Sequence, residues 1–141
     1  MEQRPSTVRC AVTAQVSVLK GSSLPLPAEL HYGTADPYAV RLSLGSSTGP
    51  PVTWVFAREL LDEGTRRPVG PGAVLVVPRY CHRPRSVRVV LSDDIGAALV
   101  ELPAAEVAAF LRQTFALVPA GTESDHLDLD GALAELIGGS G

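Results

Sequence analysis

Val52-Thr53-Trp54-Val55-Phe56-Ala57-Arg58-Glu59-Leu60-Leu61-Asp62-Glu63-Gly64 is the stretch whose reading decides the fold. Its first five residues are strong β-formers and read as a strand. Ala57–Glu63 then reads as a short helix stopped by Gly64. A strand therefore passes into a helix with no loop between them. The passage is echoed at Leu99–Phe110, which shares its pattern more than its residues, and the two together suggest a β-rich internal duplication.

Upstream, Val8, Cys10, Val12, Ala14, Val16 and Val18 alternate with Arg9, Ala11, Thr13, Gln15 and Ser17, the period of a strand with one buried face. Cys10 falls on that face and is expected as a buried free thiol. Leu24-Pro25-Leu26-Pro27 reads as an edge or connector, because proline cannot donate to a ladder. A short strand at Ala28–Tyr32, a turn at Gly33–Pro37 and a strand with Tyr38, Val40, Leu42 and Leu44 on one face follow. Downstream of the helix, Gly70-Pro71-Gly72 turns the chain into strands at Ala73–Pro78, Ser86–Leu91 and Ala97–Leu102. Pro103 suits a first helical turn, and Val107, Phe110, Leu111 and Phe115 recur at helical spacing. After Pro119–Thr122 a last helix is expected to bury Leu129, Leu133, Leu136 and Ile137, capped by Asp128.

About seven strands joined by short loops favour antiparallel pairing, and a sheet packed by a short mid-chain helix and two C-terminal helices is an α+β fold. The 141 residues fit one domain, with about 1–6 and 138–141 expected to be disordered. Apolar residues make up 45% of the chain. That is enough for a real core. No apolar run approaches the roughly 20 residues that cross a bilayer, and no secretion signal opens the chain, so a cytoplasmic location is expected. Net charge is −3 but segregated. Arg66, Arg67, Arg79, Arg83, Arg85 and Arg88 lie between Glu63 and Asp93 with no acid among them, whereas from Asp93 onward acids dominate.

Several motifs dissolve on inspection. Gly45-Ser46-Ser47-Thr48-Gly49 has the spacing of a nucleophile elbow, yet prolines and a strand follow where a helix is needed. Gly70-Pro71-Gly72 lacks the third glycine and the helix of a dinucleotide fingerprint. The series beginning at His126 offers Ile137 where a calcium loop needs a bidentate glutamate. His31, His82 and His126 are scattered, and Cys81-His82 has no second ligand pair. No catalytic residue, metal site or cofactor is expected, and the chain does not read as an enzyme. Arg79, Tyr80, His82, Arg83 and Arg85 form a basic loop whose sharper reading is an anion or single-stranded nucleic-acid site, with Tyr80 stacking on a base. A solvated hairpin loop is the plainer reading, because one basic loop on a net-acidic chain is a weak footprint.

Blocks in order along nearly the whole chain carry a resemblance: Ser23-Leu24-Pro25-Leu26-Pro27, Tyr32–Val40, Trp54–Leu61, Arg67–Gly72, Val118–Glu123 and Leu127–Asp130. Together they resemble the SsgA-like family of actinomycete sporulation and cell-division regulators. The resemblance implies a non-enzymatic scaffold that controls septum placement or assembly through protein partners, with FtsZ or another SsgA-like protein as the partner. It also implies a fold like that of the Whirly and mitochondrial guide-RNA-binding proteins, and a homotrimer. Arg58, Gly121, Thr122 and Glu123 lie in matched blocks and are the candidate partner-binding residues. Gly121 stands at a corner after Pro119 where a positive φ would set the direction of the departing chain.

Overall fold

Among the described residues, seven strands pair into one antiparallel sheet in the order β4-β3-β2-β1-β7-β6-β5. In the computed structural model the described residues are 7–18, 23–45, 51–70, 72–79, 85–92 and 97–126. The elements are β1 (Thr7–Val18), β2 (Leu24–Gly33), β3 (Ala39–Leu44), β4 (Val52–Ala57), α1 (Arg58–Gly64), β5 (Val74–Arg79), β6 (Ser86–Ser92), β7 (Ala97–Pro103) and α2 (Ala104–Leu117), followed by a 3-10 turn at Glu123–His126. The fold is α+β, as expected. The last helix expected beyond residue 126, and the two chain ends expected to be disordered, lie outside the described residues.

Two meanders build the sheet. The first runs from β1 to β4 and ends in α1; the second runs from β5 to β7 and ends in α2. They join where β7 pairs with β1, at Gln15↔Glu101 and Val16↔Val100. Antiparallel register puts paired residues on one face. Leu30↔Leu42, Val40↔Phe56 and Val89↔Val100 thus stack their side chains into one core. Val107, Phe110 and Leu111 of α2 close that core over β1, β6 and β7.

Helix α1 leaves the edge strand β4, yet it packs on β5, the opposite edge, as well as on β4 and β3. The sheet therefore curls until both edges meet one helix, a consequence of strand twist accumulated over seven strands. Gly64 marks the contact. A Cβ there would overlap both Cβ and Cγ1 of Val76. The helix ends at Gly64, as its sequence context suggests. Gly64 is the last helical residue, with Thr65 as the cap, and only a bare Cα lets α1 reach β5.

Of three further expectations one holds, and those for Tyr38 and Cys10 are corrected. For Leu24–Pro27 the edge reading holds, because it opens β2 with Pro25 and Pro27 opposite Gln15 and Thr13 of β1 and no β3 pairing on its other side. The Pro27 carbonyl accepts from the Gly45 backbone N–H on the β3 side, at 2.8 Å. The amide nitrogen of a strand residue points the same way as its carbonyl, so both prolines aim their missing donor away from β1. On that side β3 pairs only with Ala28–His31. Tyr38 precedes β3 in the turn and is 49% exposed, outside the buried row. Cys10 is a free thiol but only half-buried, with its Sγ 3.8 Å from the Glu106 carbonyl oxygen; burial first, and then the Glu106 charge, push its pKa upward.

Candidate functional site

Strand alternation places Trp54 and Phe56 toward the core, and Arg58, two residues further on, follows them inward. Its backbone N–H donates to the Tyr38 carbonyl at 2.7 Å, fixing the turn from β4 into α1. The side chain is 1% exposed, the largest fully buried side chain among the described residues. A buried guanidinium must be paired and hydrogen-bonded to be tolerated. Arg58 Nη1 donates to the carbonyls of Thr114 at 3.1 Å and Val118 at 2.8 Å, and Nη2 donates to Glu123 Oε2 at 2.7 Å. The Tyr32 ring centroid lies 4.9 Å and that of Phe115 4.1 Å from the guanidinium carbon. Both rings are within cation–π range.

The chemistry explains why arginine stands here. The end of α2 carries partial negative charge on its last carbonyls, of which that of Thr114 accepts the Val118 backbone N–H at 2.8 Å and has room for a second donor. No basic residue in its own last turn answers that charge. Arg58 supplies the cation from another helix, and its fork reaches both carbonyls and a carboxylate at once.

Glu123 ties the arrangement to the chain that leaves α2. Its Oε1 accepts from the Gly121 backbone N–H at 3.0 Å while Oε2 holds Arg58. A hydrogen bond from its own backbone N–H, followed by that from Arg58, holds the carboxyl below its ordinary value. Gly121 has φ +89°. Its place in the corner requires that left-handed backbone, which glycine adopts without penalty. The Thr122 hydroxyl donates back to the Pro119 carbonyl at 2.7 Å, closing the same turn. Tyr32 contributes from beneath. Its hydroxyl donates to the Pro37 carbonyl at 2.9 Å, and burial above all raises its pKa. Among the described residues no buried side-chain polar atom lacks a partner.

A cavity of about 460 Å³ opens over this network. Tyr38, Ala57, Phe115 and Ala120 give it apolar wall; Glu59, Asp62 and Glu123 give it carboxylates. Three of the four candidate partner residues, Arg58, Gly121 and Glu123, line it, and Thr122 braces the turn between the last two. Arg58 is held too deep to serve as a surface contact and acts by fixing what surrounds it. Sequence reasoning passed over Tyr32, Tyr38, Glu59, Asp62, Thr114 and Phe115. Trp54 is half-buried and Phe56 buried, both as core.

The basic loop is divided. Tyr80, His82 and Arg83 lie outside the described residues, and Arg85 is exposed. Arg79 is paired with Glu101 across the outer face of the sheet, and Arg88 Nε donates to the same carboxylate at 3.3 Å. Burial alone would raise the Glu101 carboxyl; hydrogen bonds from Arg79, Arg88 and Ser86 outweigh it and keep it low. Arg79 is thus engaged within the sheet, which weakens the anion-site reading. Among the described residues no three or more His, Cys, Asp or Glu side chains are grouped to hold a metal. No helix of the described residues is long and apolar enough to cross a membrane.

A family profile described as Streptomyces sporulation and cell division protein, SsgA, matches residues 26–123. The sporulation-specific cell division protein SsgB of Streptomyces coelicolor is 46% identical over 132 residues, covering 94% of this chain and 96% of its own. SsgB of Frankia casuarinae is 42% identical, covering 99% of this chain and 97% of its own. The crystal structure of an SsgA-like sporulation-specific cell division protein from Thermobifida fusca superposes with a TM-score of 0.83 at 38% identity, covering 96% of this chain and 98% of that one. The chain belongs to the SsgA family of actinomycete sporulation and cell-division proteins.

Proposed function

We propose that this protein is a non-enzymatic regulator of sporulation-specific cell division that works through protein partners, and that Gly121, Thr122 and Glu123, held in place by the buried Arg58, form the core of the partner surface. One observation carries the assignment of the surface: Gly121 and Glu123, far from Arg58 in the chain, meet it at one cavity over a fully paired buried guanidinium, with Thr122 bracing the turn between them. A rigid corner presenting an open pocket suits recognition of another protein, because little ordering is left to be done on binding. In this reading the protein is cytoplasmic, gathers at the septum, and helps place or assemble it with FtsZ or with another SsgA-like protein. The Whirly-like fold implied by the resemblance belongs to this reading as architecture; the nucleic-acid reading gains no support from Arg79, which is paired with Glu101.

The same reading includes a homo-oligomer, with a trimer favoured. Val52 and Val55 on the edge strand β4 are 57% and 54% exposed. Self-association would bury such apolar surface. Two measurements test the proposal. Purified protein should capture FtsZ, one of its membrane tethers or a family member, and light scattering at micromolar concentration should return a multiple of one chain's mass. Failure to bind any of these partners would remove the partner reading, and a single-chain mass would remove the oligomer.

A further inference from the structure

We infer that the corner cavity receives a basic side chain, arginine or lysine, presented by the protein partner; this deepens the partner reading above and rests on it. The cavity encloses about 460 Å³. That size takes a side chain with its flanking backbone. The chemistry of its wall selects the charge. Glu59, Asp62 and Glu123 bring three carboxylates and Arg58 one cation, a difference of two negative charges. Arg58 cannot answer an incoming anion, because its guanidinium is buried, hydrogen-bonded to two carbonyls and a carboxylate, and flanked by Tyr32 and Phe115. Arg66 reaches Asp62 at 3.2 Å. Arg66 also reaches the second Asp62 oxygen at 3.3 Å, but its own side chain is exposed, and water screens the pair in part. Glu59 is exposed and has no ion-pair partner among the described residues.

Glu59 and Asp62 are three residues apart on α1 and so share the helix face that borders the cavity. Tyr38, an aromatic ring left half-exposed in a turn, lines the same cavity. An aromatic wall takes the methylene stem of arginine or lysine, and its face attracts the cationic head. The molecule already houses one cation by the same means: Arg58 lies between two rings with a carboxylate at its tip. An acidic or phosphate-bearing partner segment would be repelled from this wall, and a purely apolar one would leave the charge of Glu59 unanswered.

The test uses the full-length isotope-labelled protein and three capped tripeptides, Gly-Arg-Gly, Gly-Leu-Gly and Gly-Glu-Gly, followed through backbone amide signals. The arginine peptide should shift the amides of Tyr38, Glu59 and Gly121 saturably. The other two should leave them in place. Glu59→Gln, an exposed and isosteric change, should weaken the arginine peptide by about fivefold, the equivalent of one partly exposed ion pair. Equal response to the leucine peptide, any saturable response to the glutamate peptide, no response to arginine up to its solubility limit, or unchanged affinity in Glu59→Gln each overturns the inference. None of these outcomes touches the partner reading itself, which stands or falls on capture of the division proteins and on septum placement.

Discussion

The two strand-to-helix passages of this molecule look alike in sequence and do different work. Pro103 gives way to Ala104 with no loop, and α2 then lays Val107, Phe110 and Leu111 over the core. Ala57 gives way to Arg58 with no loop either, but α1 is half as long, and its first residue is a buried cation that ties down the far end of α2. The lesson is that one local solution, a strand running straight into a helix, can be used once for coverage and once for coupling. The coupling version sets the position of residues 121–123, and through them the cavity.

Removing the coupling should be the most damaging change. Arg58→Ala takes the Arg58 donor from the Val118 carbonyl and leaves the Thr114 carbonyl only the Val118 backbone N–H, strips the Tyr32 and Phe115 rings of their filling and releases Glu123. A loss of about 3–5 kcal/mol is expected from denaturant unfolding. Arg58→Lys keeps the charge but not the fork, and should fall between the variant and the parent. Equal stability of Arg58→Ala and the parent would show that α2 does not depend on α1 for its cap.

Gly64→Ala probes the other end of α1. The added Cβ would overlap the Val76 side chain. An overpacking cost of about 1–3 kcal/mol is therefore expected, although alanine is the better helix former. A stabilised variant would mean that α1 does not close the sheet against β5.

Acid sharpens the comparison further, with a smaller effect. Glu123 and Glu101 both have pKa values held below the ordinary 4.5 in the folded chain. A depressed folded pKa contributes stability that is complete above the unfolded value and is lost as pH falls through the folded one. Unfolding stability should therefore decline as pH drops below the ordinary glutamate range, and Glu123→Gln should flatten part of that decline. An unchanged acid limb in Glu123→Gln would show that the Arg58–Glu123 pair adds nothing to folding.

Much of this was legible beforehand where it depended on local period. The alternation from Val8 to Val16 and from Val40 to Leu44 located strands whose buried faces match. What stayed open depended on neighbours. Pro25 and Pro27 read as an edge or a connector, because the side on which each lacks its donor is set by the partner strand, and Gly64 read as a stop with nothing in sequence to show Val76 pressing on it. The site was half legible. The family resemblance gathered Arg58, Gly121, Thr122 and Glu123, but no spacing rule joins residues 58 and 123, and the cavity's own Glu59 and Asp62 read only as the surface of a short helix.

Septum placement in sporulating hyphae that carry Gly121→Arg tests the role of the corner most directly. Gly121 has φ +89° with nothing within 4 Å of an added Cβ. The substitution therefore meets no clash, only backbone strain of about 1–2 kcal/mol. The variant is expected to fold and to assemble with the parent's mass, yet to lay down septa at altered positions, because the chain leaving α2 takes a new direction and the cavity wall moves with it. A folded, correctly assembled variant that places its septa normally would contradict the assignment and leave the corner as a connector.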